Sequence, residues 1–344
     1  MRVWVLSDGK AGHVSQTRGL AGVLVQSGEA SCSTLEVGRS MFDVTIASRE
    51  RPTSNIEHRT SKGEIIEIDV SRRGLCAVWR EWRKGEPPAL ILGAGHRTHI
   101  PLLFAGLLMR KVRTVVCMKP SLPMGWFDVC VVPRHDVAKA SRRVITTVGA
   151  LNGIRPHPEK AKDRGVMLIG GPSKEYGWDE EALLRQLERL GGDAFALPHG
   201  RWVLTTSRRT PAGFAQRVPQ GIEVVPVEET PRGWVAEQLM HAHTVWVTRD
   251  SVSMIYESLG SGAAVGLLDL PKANQRPETR DQRPVSRVQK GIALLEEEGR
   301  VTSFAEWERM GKLKASEPLV EVDRVATLIK TRFFSHKDTE TQRG

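Results

Sequence analysis

The sequence predicts an α/β protein with two doubly wound, Rossmann-like domains that face a central cleft. Short apolar runs typical of buried parallel strands alternate with amphipathic helices in both halves of the chain. The alternation is interrupted once, by the Pro-rich and charged segment 155–165, and then restarts. The length of 344 residues also exceeds what one ordinary hydrophobic core supports. We therefore expect residues 1–157 and 158–319 to form separate domains.

The clearest strand–helix–strand unit lies near the C-terminus. Residues 244–248 form an apolar, β-branched run that predicts a buried strand, and 263–268 predict a second strand parallel to it. Between them, Asp250 or Ser251 is expected to cap a helix. The turn before that helix lies at the carboxyl end of a strand, where open α/β sheets bind ligands, anions in particular.

The remaining elements follow from the same patterns, because apolar β-branched runs predict strands and apolar residues three or four positions apart predict helices. In the first half we expect strands at 2–6, 34–37, 65–70, 89–92, 114–118, 127–132 and 146–151, and helices at 16–26, 76–84 and 98–111. In the second half we expect strands at 166–169, 202–205 and 222–227, and helices at 179–190, after 207–211, and at 234–241, 285–298 and 322–333. The basic stretch after Pro271 is predicted to be a mobile loop, and 336–344 a flexible tail.

The composition is that of a soluble globular protein with a strong positive charge. Hydrophobic residues make up 40% and charged residues 26% of the chain, and the formal net charge is +10. This balance predicts an anionic partner, such as a nucleotide or an acidic membrane surface, although a generally basic solvated surface has the same composition. No nucleic-acid-binding motif is present, so we expect no nucleic acid as partner.

The four cysteines show no C-x-x-C spacing and no neighbouring histidine cluster; they are Cys32, Cys76, Cys117 and Cys130. This pattern predicts reduced thiols, no zinc site and a cytoplasmic setting. The N-terminus lacks the pattern of a signal peptide, and the longest apolar run, 100–109, is about half of a membrane span.

Several catalytic motifs are absent, and their absence narrows the function. The chain contains no P-loop, no G-x-S-x-G elbow and no Asp-x-Asp metal clamp, and its first loop does not match G-x-G-x-x-G. These absences argue against a P-loop NTPase, an α/β-hydrolase and a dinucleotide-dependent dehydrogenase. We expect no bound cofactor and no required metal.

In the first half, the loop 7–15 combines glycines with titratable side chains at the head of a helix. His13, helped by Asp8, is a candidate general base, because an imidazole titrates near neutral pH. The alternative is a turn whose polar residues merely cap the helix. The loop 93–98 is similar, and its His96 and Arg97 are either anion ligands or a solvated helix start.

In the second half, three strand ends carry glycine, hydroxyl or guanidinium groups. Backbone N–H and guanidinium donors both favour phosphate oxygens, so the set suits a diphosphate. The candidate residues are Gly170, Gly171, Ser173, Thr206, Ser207, Arg208, Arg209, Asp250, Ser251, Ser253 and Met254. Glu257, one helical turn beyond Ser253, could accept the ribose hydroxyls, or it is a surface helix carboxylate.

Six segments in order resemble one family. They are VLSDGKAGHVSQTRGLAGVL, VVPRHD, TVGALNGI, LIGGPSKEYGW, LTTSRRTP and VTRDSVSMIYESLGSG. Together they look like the mitochondrial fission ELM-type family, whose fold is thought to be similar to that of GT-B glycosyltransferases. The loop 9–13 also resembles the G-x-G-G-H loop of MurG-type transferases, with Asp8 and Lys10 in place of a glycine and a threonine.

The resemblance implies a GT-B-type, metal-independent glycosyltransferase with a nucleotide-sugar donor in the second domain. Glu257 matches the ribose-binding glutamate of MurG-type enzymes, and a helix at 320–335 is expected to pack back on the first domain. The acceptor, lipid-linked or an envelope glycan, would lie on the first domain, near Lys10, Gly12, His96 and Arg97. An epimerase or hydrolase of the same fold, and a non-catalytic scaffold that binds a membrane or protein, are the alternatives.

The cysteine pattern predicts a cytoplasmic location, and one segment suggests a peripheral position at the inner face of the membrane. The predicted helix 98–111, apolar with a basic end, is either a core helix or a surface that rests on anionic lipid. The sequence leaves the sugar, the nucleotide base, the acceptor, the stereochemical course and the oligomeric state open.

Overall fold

The computed structural model describes residues 1–26, 56–60, 63–136, 141–192, 200–231, 233–273 and 286–334. The chain forms two compact units, with Met1–Gly153 and the stretch from Val320 onward in unit 1, and Ile154–Leu319 in unit 2. Three sequence predictions lie outside the described residues: the strand at 34–37, most of the loop after Pro271, and the tail 336–344.

Unit 1 is built on a sheet in which one edge strand is antiparallel and the other strands are parallel. The strand order is β2-β3-β1-β4-β5-β6-β7. The strands are β1 (Arg2–Ser7), β2 (Ile56–Thr60), β3 (Gly63–Asp69), β4 (Leu90–Ala94), β5 (Arg113–Cys117), β6 (Val129–Pro133) and β7 (Val144–Thr147). Only the β2–β3 pair within this sheet is antiparallel.

Helices cover both faces of this sheet, because its central strands are apolar on both sides. Val3 and Val5 of β1 point into the core shared with α1 and the last helix, whereas Trp4 and Leu6 point into the core under α2 and α3. The helices are α1 (Ala11–Gln26), α2 (Gly74–Trp82), α3 (His96–Leu108) and, from the end of the chain, α10 (Glu321–Phe334).

Unit 2 has a fully parallel sheet with the order β10-β9-β8-β11-β12-β13. Its strands are β8 (Ala161–Leu168), β9 (Arg201–Thr205), β10 (Ile222–Val225), β11 (Ala242–Thr248), β12 (Ala264–Leu268) and β13 (Thr302–Ser303). Its helices are α4 (Glu180–Gly192), α5 (Phe214–Arg217), α6 (Trp234–His241), α7 (Val252–Ser261), α8 (Arg287–Glu297) and α9 (Phe304–Met310). Buried Trp246 of β11 meets Trp307 of α9 edge to face, with ring centroids 5.5 Å apart.

Each sheet reverses its strand order once. In unit 1 the chain leaves β1 toward β3 on one side and later returns as β4 on the other side. In unit 2 it proceeds from β8 to β9 and β10, and then returns as β11 on the opposite side of β8. Such reversals open a crevice at the carboxyl ends of the two central strands, and open α/β sheets bind their ligands there. The loops after β1 and β4, and after β8 and β11, are therefore the places to examine for a site.

Several predicted bounds were wrong. Helix α1 begins at Ala11, five positions before the predicted 16, because the Gly-containing loop continues directly into helical turns. Strand β8 begins at Ala161, so the charged segment 155–165 is only in part a linker. Helix α5 begins at Phe214, after Gly213 rather than at Pro211, and has only four residues.

The thiols that the structure describes are unpaired, as predicted. Cys76 is exposed, whereas Cys117 and Cys130 are buried in neighbouring strands. Burial raises the pKa of Cys117 and of Cys130 to about 12. These two behave as small apolar side chains. Cys32 lies outside the described residues. No helix within the described ranges is long and apolar enough to cross a membrane.

Candidate functional site

At the reversal point of unit 1, a buried carboxylate holds a histidine ring. The side chain of Asp8, just after β1, is 0% exposed, whereas that of His13, in the first turn of α1, is 20% exposed. His13 Nδ1 lies 2.9 Å from Asp8 Oδ2. Because an ionised carboxylate can only accept, Nδ1 donates and the lone pair of the ring is on Nε2. Asp8 Oδ1 accepts the backbone N–H of Lys10 at 3.2 Å, so both carboxylate oxygens are fixed.

The loop after β4 lies directly against this pair. Gly95 follows β4 with a φ of +87°, in the left-handed region that favours glycine. A side chain at this position would collide with the ring of His13 and the carboxylate of Asp8. The close approach of the two loops therefore depends on Gly95.

The other residues predicted on the acceptor side surround the pair less tightly. Lys10 is exposed, and Gly12 is half-buried in the first turn of α1. His96 and Arg97 are exposed at the start of α3. The structure thus joins Asp8 to His13, and leaves the four predicted neighbours as surface groups of the same two loops.

Sequence reasoning missed a second histidine in this region. His99 is buried on the inner side of α3, and its Nδ1 lies 3.1 Å from Ser121 Oγ. Burial, and then the nearby His96, lower the pKa of His99. This residue is therefore a core histidine, and its position three residues after His96 gave no distinguishing signal.

At the reversal point of unit 2, a second buried carboxylate lies against a glycine pair. The side chain of Asp250, just after β11, is 0% exposed and pairs with Arg209 Nη2 at 2.6 Å. Asp250 Oδ2 also accepts the N–H of Gly171 at 3.1 Å. The hydroxyl of Thr248 accepts the N–H of Gly170 at 2.7 Å. A side chain at Gly170 would collide with the Asp250 carboxylate, which explains a glycine there.

Three of the hydroxyls predicted to bind phosphate also hold the local turns. Thr206 Oγ1 accepts a backbone N–H at 3.1 Å, Ser207 Oγ one at 3.2 Å, and Ser173 Oγ one at 3.0 Å. Each hydroxyl has a proton of its own that it can donate. Thr210, which was not a candidate, accepts the N–H of Ser207 at 2.8 Å and so shapes the same loop.

Among the described residues, other groups that were predicted to donate to phosphate have no ion pair or no side-chain cap. Arg208 is exposed and makes no ion pair within the described part of the chain. Ser251 occupies the N-cap position of α7, but its side chain does not cap the helix. The N–H groups in the first turn of α7, which includes Ser253 and Met254, therefore lack a side-chain cap from Ser251. Glu257 is half-buried one turn further along the helix.

Arg249 has a structural role. Its Nε lies 2.7 Å from Asp269 Oδ1 and its Nη2 lies 2.7 Å from Glu296 Oε1. Burial alone would lower the pKa of Arg249, but the hydrogen bond to Glu296 and the charge of Asp269 raise it overall. The guanidinium stays charged and ties the end of β11 to β12 and α8. In the described residues, no group of three or more His, Cys, Asp or Glu side chains could hold a metal ion.

Comparison with known sequences gives one family and one curated relative. Residues 11–333 match the family described as "Mitochondrial fission ELM1". The uncharacterized protein RP120 of Rickettsia prowazekii (strain Madrid E) is 22% identical over 387 residues, which cover 96% of this chain and 98% of the relative.

Comparison with solved structures identifies the fold. A candidate UDP-N-acetylglucosamine 2-epimerase from Listeria monocytogenes is 12% identical, with a TM-score of 0.56 over 98% of this chain and 97% of its own. The S. aureus MnaA–UDP co-structure is 12% identical, with a TM-score of 0.50 and 98% coverage of both chains. MurG of Acinetobacter baumannii is 14% identical, with a TM-score of 0.46 over 96% of this chain and 99% of its own. The architecture of two α/β units is the GT-B-like fold.

Proposed function

The chain belongs to the mitochondrial fission ELM1 family and has a GT-B-like fold, and on these grounds we propose that it is a glycosyltransferase. It moves a sugar from a nucleotide-sugar donor, bound by unit 2, to an acceptor hydroxyl, bound by unit 1. The acceptor is lipid-linked or an envelope glycan. Because the S. aureus protein of this fold was solved with UDP, a uridine nucleotide is the first donor to test.

The hydrogen-bonded pair of His13 and Asp8 carries this proposal. The buried carboxylate fixes the ring orientation at 2.9 Å and supports a positive charge on the imidazole. With Nδ1 engaged, Nε2 is the atom that accepts the proton of the acceptor hydroxyl. The oxygen then bonds to the anomeric carbon of the donor, and the bond from that carbon to the diphosphate oxygen breaks.

Unit 2 supplies positive potential for the leaving nucleoside diphosphate. Arg208 offers an exposed guanidinium that has no ion pair among the described residues, and the uncapped start of α7 offers backbone N–H groups. Ser251 and Ser253 lie at the same helix start, and Glu257 is our candidate for the ribose hydroxyls. We propose that these groups, rather than a divalent metal, balance the charge that develops on the diphosphate.

Transfer activity tests the base directly. Purified protein is incubated with labelled nucleotide sugars and membrane or glycan extract, with and without chelator. His13→Gln should lower transfer by about 10²- to 10⁴-fold, the usual contribution of a general base. His243→Gln changes an exposed histidine of unit 2 and should leave transfer unchanged.

Nucleotide binding provides the independent readout. A nucleoside diphosphate at about 100 times its Kd adds roughly 2.7 kcal/mol of stability, so a thermal shift should appear with one nucleotide, regardless of chelator. His13→Gln should retain that shift. Conversion of the donor without an acceptor would assign an epimerase or hydrolase, and the absence of a shift with every nucleotide would sink the proposal.

A further inference from the structure

The helices on one face of the first sheet carry an exposed apolar surface. Among the residues that the structure describes, six large apolar side chains are exposed. Four of them lie on α2 and α3, namely Leu75, Trp79, Ile100 and Leu107. Leu107 is 82% exposed and Trp79 45%. Because α2 and α3 pack directly against each other, these side chains belong to one surface layer.

Helical spacing aligns these side chains. Leu75 and Trp79 are one turn apart on α2, and Ile100 and Leu107 are two turns apart on α3, so each pair lies on one helix face. The inner face of each helix already packs into the core. On α2, Val78 makes this contact. The outer apolar residues keep between 40% and 82% of their surface exposed, and this exposure needs another reason.

A fifth residue extends the surface. Trp126 is exposed in the short 3₁₀ turn Met124–Trp126, between β5 and β6. Met124 of this turn packs against the same core that α2 and α3 cover. Two tryptophans thus lie in one layer with three aliphatic side chains.

Positive charge surrounds these apolar residues. Segment 72–84 contains five arginines and lysines and one carboxylate, that of Glu81, which is buried and pairs with Lys84 at 2.9 Å. Segment 96–111 contains three arginines and lysines and no carboxylate. The guanidinium of Arg83 lies 4.8 Å from the ring centroid of Trp79. The surface is therefore amphipathic, with cations next to large apolar groups.

We infer that this surface docks unit 1 on an anionic lipid bilayer. The apolar side chains enter the boundary between headgroups and acyl chains, where tryptophan is favoured, and the cations bind lipid phosphates. A second copy of the chain would bring the same cations face to face, which opposes self-association. A nucleic acid would match the charge but would leave Ile100 and Leu107 against phosphates.

This inference deepens the proposed function, because a lipid-linked acceptor would be reached from the same surface. Its test requires no catalysis. The full chain is mixed with vesicles of neutral phosphatidylcholine, or with vesicles in which roughly a third of the lipid is anionic phosphatidylglycerol. We expect co-sedimentation with the anionic vesicles alone, weakened by high salt.

Matched variants separate the two components of the surface. The double variant Trp79→Ser, Leu107→Ser should lower the partition coefficient at least about tenfold, whereas Leu328→Ser, an exposed leucine of α10, should not. Arg80→Glu and Arg110→Glu should each lower it about fivefold or more. Arg185→Glu, an exposed arginine of α4 in unit 2, is the charge control.

A fluorescent probe reports the docked face. Cys76 is exposed on α2, so an environment-sensitive dye is attached there in a Cys32→Ser background. A blue shift with anionic vesicles is expected. Equal binding to neutral vesicles, equal loss in the variants and their controls, or a dimer that the double variant abolishes would each overturn the inference. The nucleotide-induced thermal shift, measured on the same variants, keeps this outcome separate from failure of the proposed function.

Discussion

At the scale of single residues, the carboxylate of Asp250 contacts two groups that we propose as phosphate ligands. It accepts the N–H of Gly171 and pairs with Arg209, and its Oδ1 is buried without a hydrogen-bond partner among the described residues. A diphosphate that approaches this loop meets a fixed negative charge. We therefore expect Asp250→Asn, which keeps the acceptor for Gly171, to bind nucleoside diphosphate roughly tenfold more tightly, a gain of about 1.4 kcal/mol.

Isothermal titration with the nucleotide that gives the thermal shift is the measurement for this variant. Asp163→Asn removes an exposed carboxylate of β8 and serves as the charge control. If Asp250→Asn binds more weakly than the natural protein, then the carboxylate orients Arg209 for the ligand and does not compete with it.

The sequence predicted where these groups would lie, but only one of the two sets of contacts. The end of a strand is visible in the apolar pattern, so Asp8 and Asp250 were candidates. The pairing of Asp8 with His13 is local and was predicted, since five residues span one loop and one helical turn. The partners of Asp250 lie 79 and 41 residues away in the chain, and only the strand order of the sheet brings them to it.

At the scale of secondary-structure elements, α10 completes unit 1 from the far end of the chain. Val322, Val325, Ala326 and Ile329 enter the core that α1 and β1 share. Ile329→Ala should lower the free energy of unfolding by about 2–5 kcal/mol, because it leaves a cavity in a packed core. Chemical denaturation followed by circular dichroism measures the loss.

The neighbouring residue is the control for this prediction. Leu328 is exposed on the same helix, so Leu328→Ala should change the free energy of unfolding by less than about 0.5 kcal/mol. Equal losses in the two variants would contradict core packing as the cause, because alanine has the highest helix propensity and does not itself weaken a helix.

Elements with a regular apolar pattern were predicted well, and those without one were missed. Helix α6 has the predicted bounds, Trp234–His241. Strand β2 has the polar sequence IEHRT and forms through edge pairing with β3. Strand β13 has two residues, too few for any periodicity. Such elements owe their existence to a neighbouring strand and not to their own side chains.

At the scale of the whole molecule, both units repeat one local plan. Each places a fully buried aspartate, Asp8 or Asp250, after a central strand. Each sets a glycine of the adjacent loop, Gly95 or Gly170, where a side chain would collide with that aspartate. The units differ in the partner of the carboxylate, which is an imidazole in unit 1 and a guanidinium in unit 2. We propose that the first arrangement serves proton transfer, whereas the second holds the Arg209 guanidinium and the Gly171 N–H and competes with an anion for them.

The stability of the whole chain should also depend on pH through a lysine of unit 2. Burial lowers the pKa of Lys160 from 10.5 to about 8, and its Nζ donates to the carbonyl of Ala242 at 2.8 Å. Below about pH 8, Lys160 is protonated in both the folded and the unfolded chain, so the folded state bears the full cost of a partly buried ammonium. Between about pH 8 and pH 10.5, Lys160 stays protonated only in the unfolded chain, so the free energy of unfolding rises with pH. Partial exposure limits the gain to the order of 1 kcal/mol.

Two buried thiols limit the pH range over which this rise in stability can be measured. Burial raises the pKa of Cys117 and Cys130 from 9.0 to about 12, so above the lower value the unfolded thiols ionise first and stability falls with pH. Urea denaturation of the natural protein and of Lys160→Met at about pH 7.5 and about pH 8.5 therefore isolates the lysine, because the contribution of the thiols is common to both. Lys160→Met should be more stable at the lower pH and should flatten the dependence, whereas Lys162→Met, an exposed neighbour on β8, should keep it. A slope that survives in Lys160→Met would assign the pH dependence to other groups.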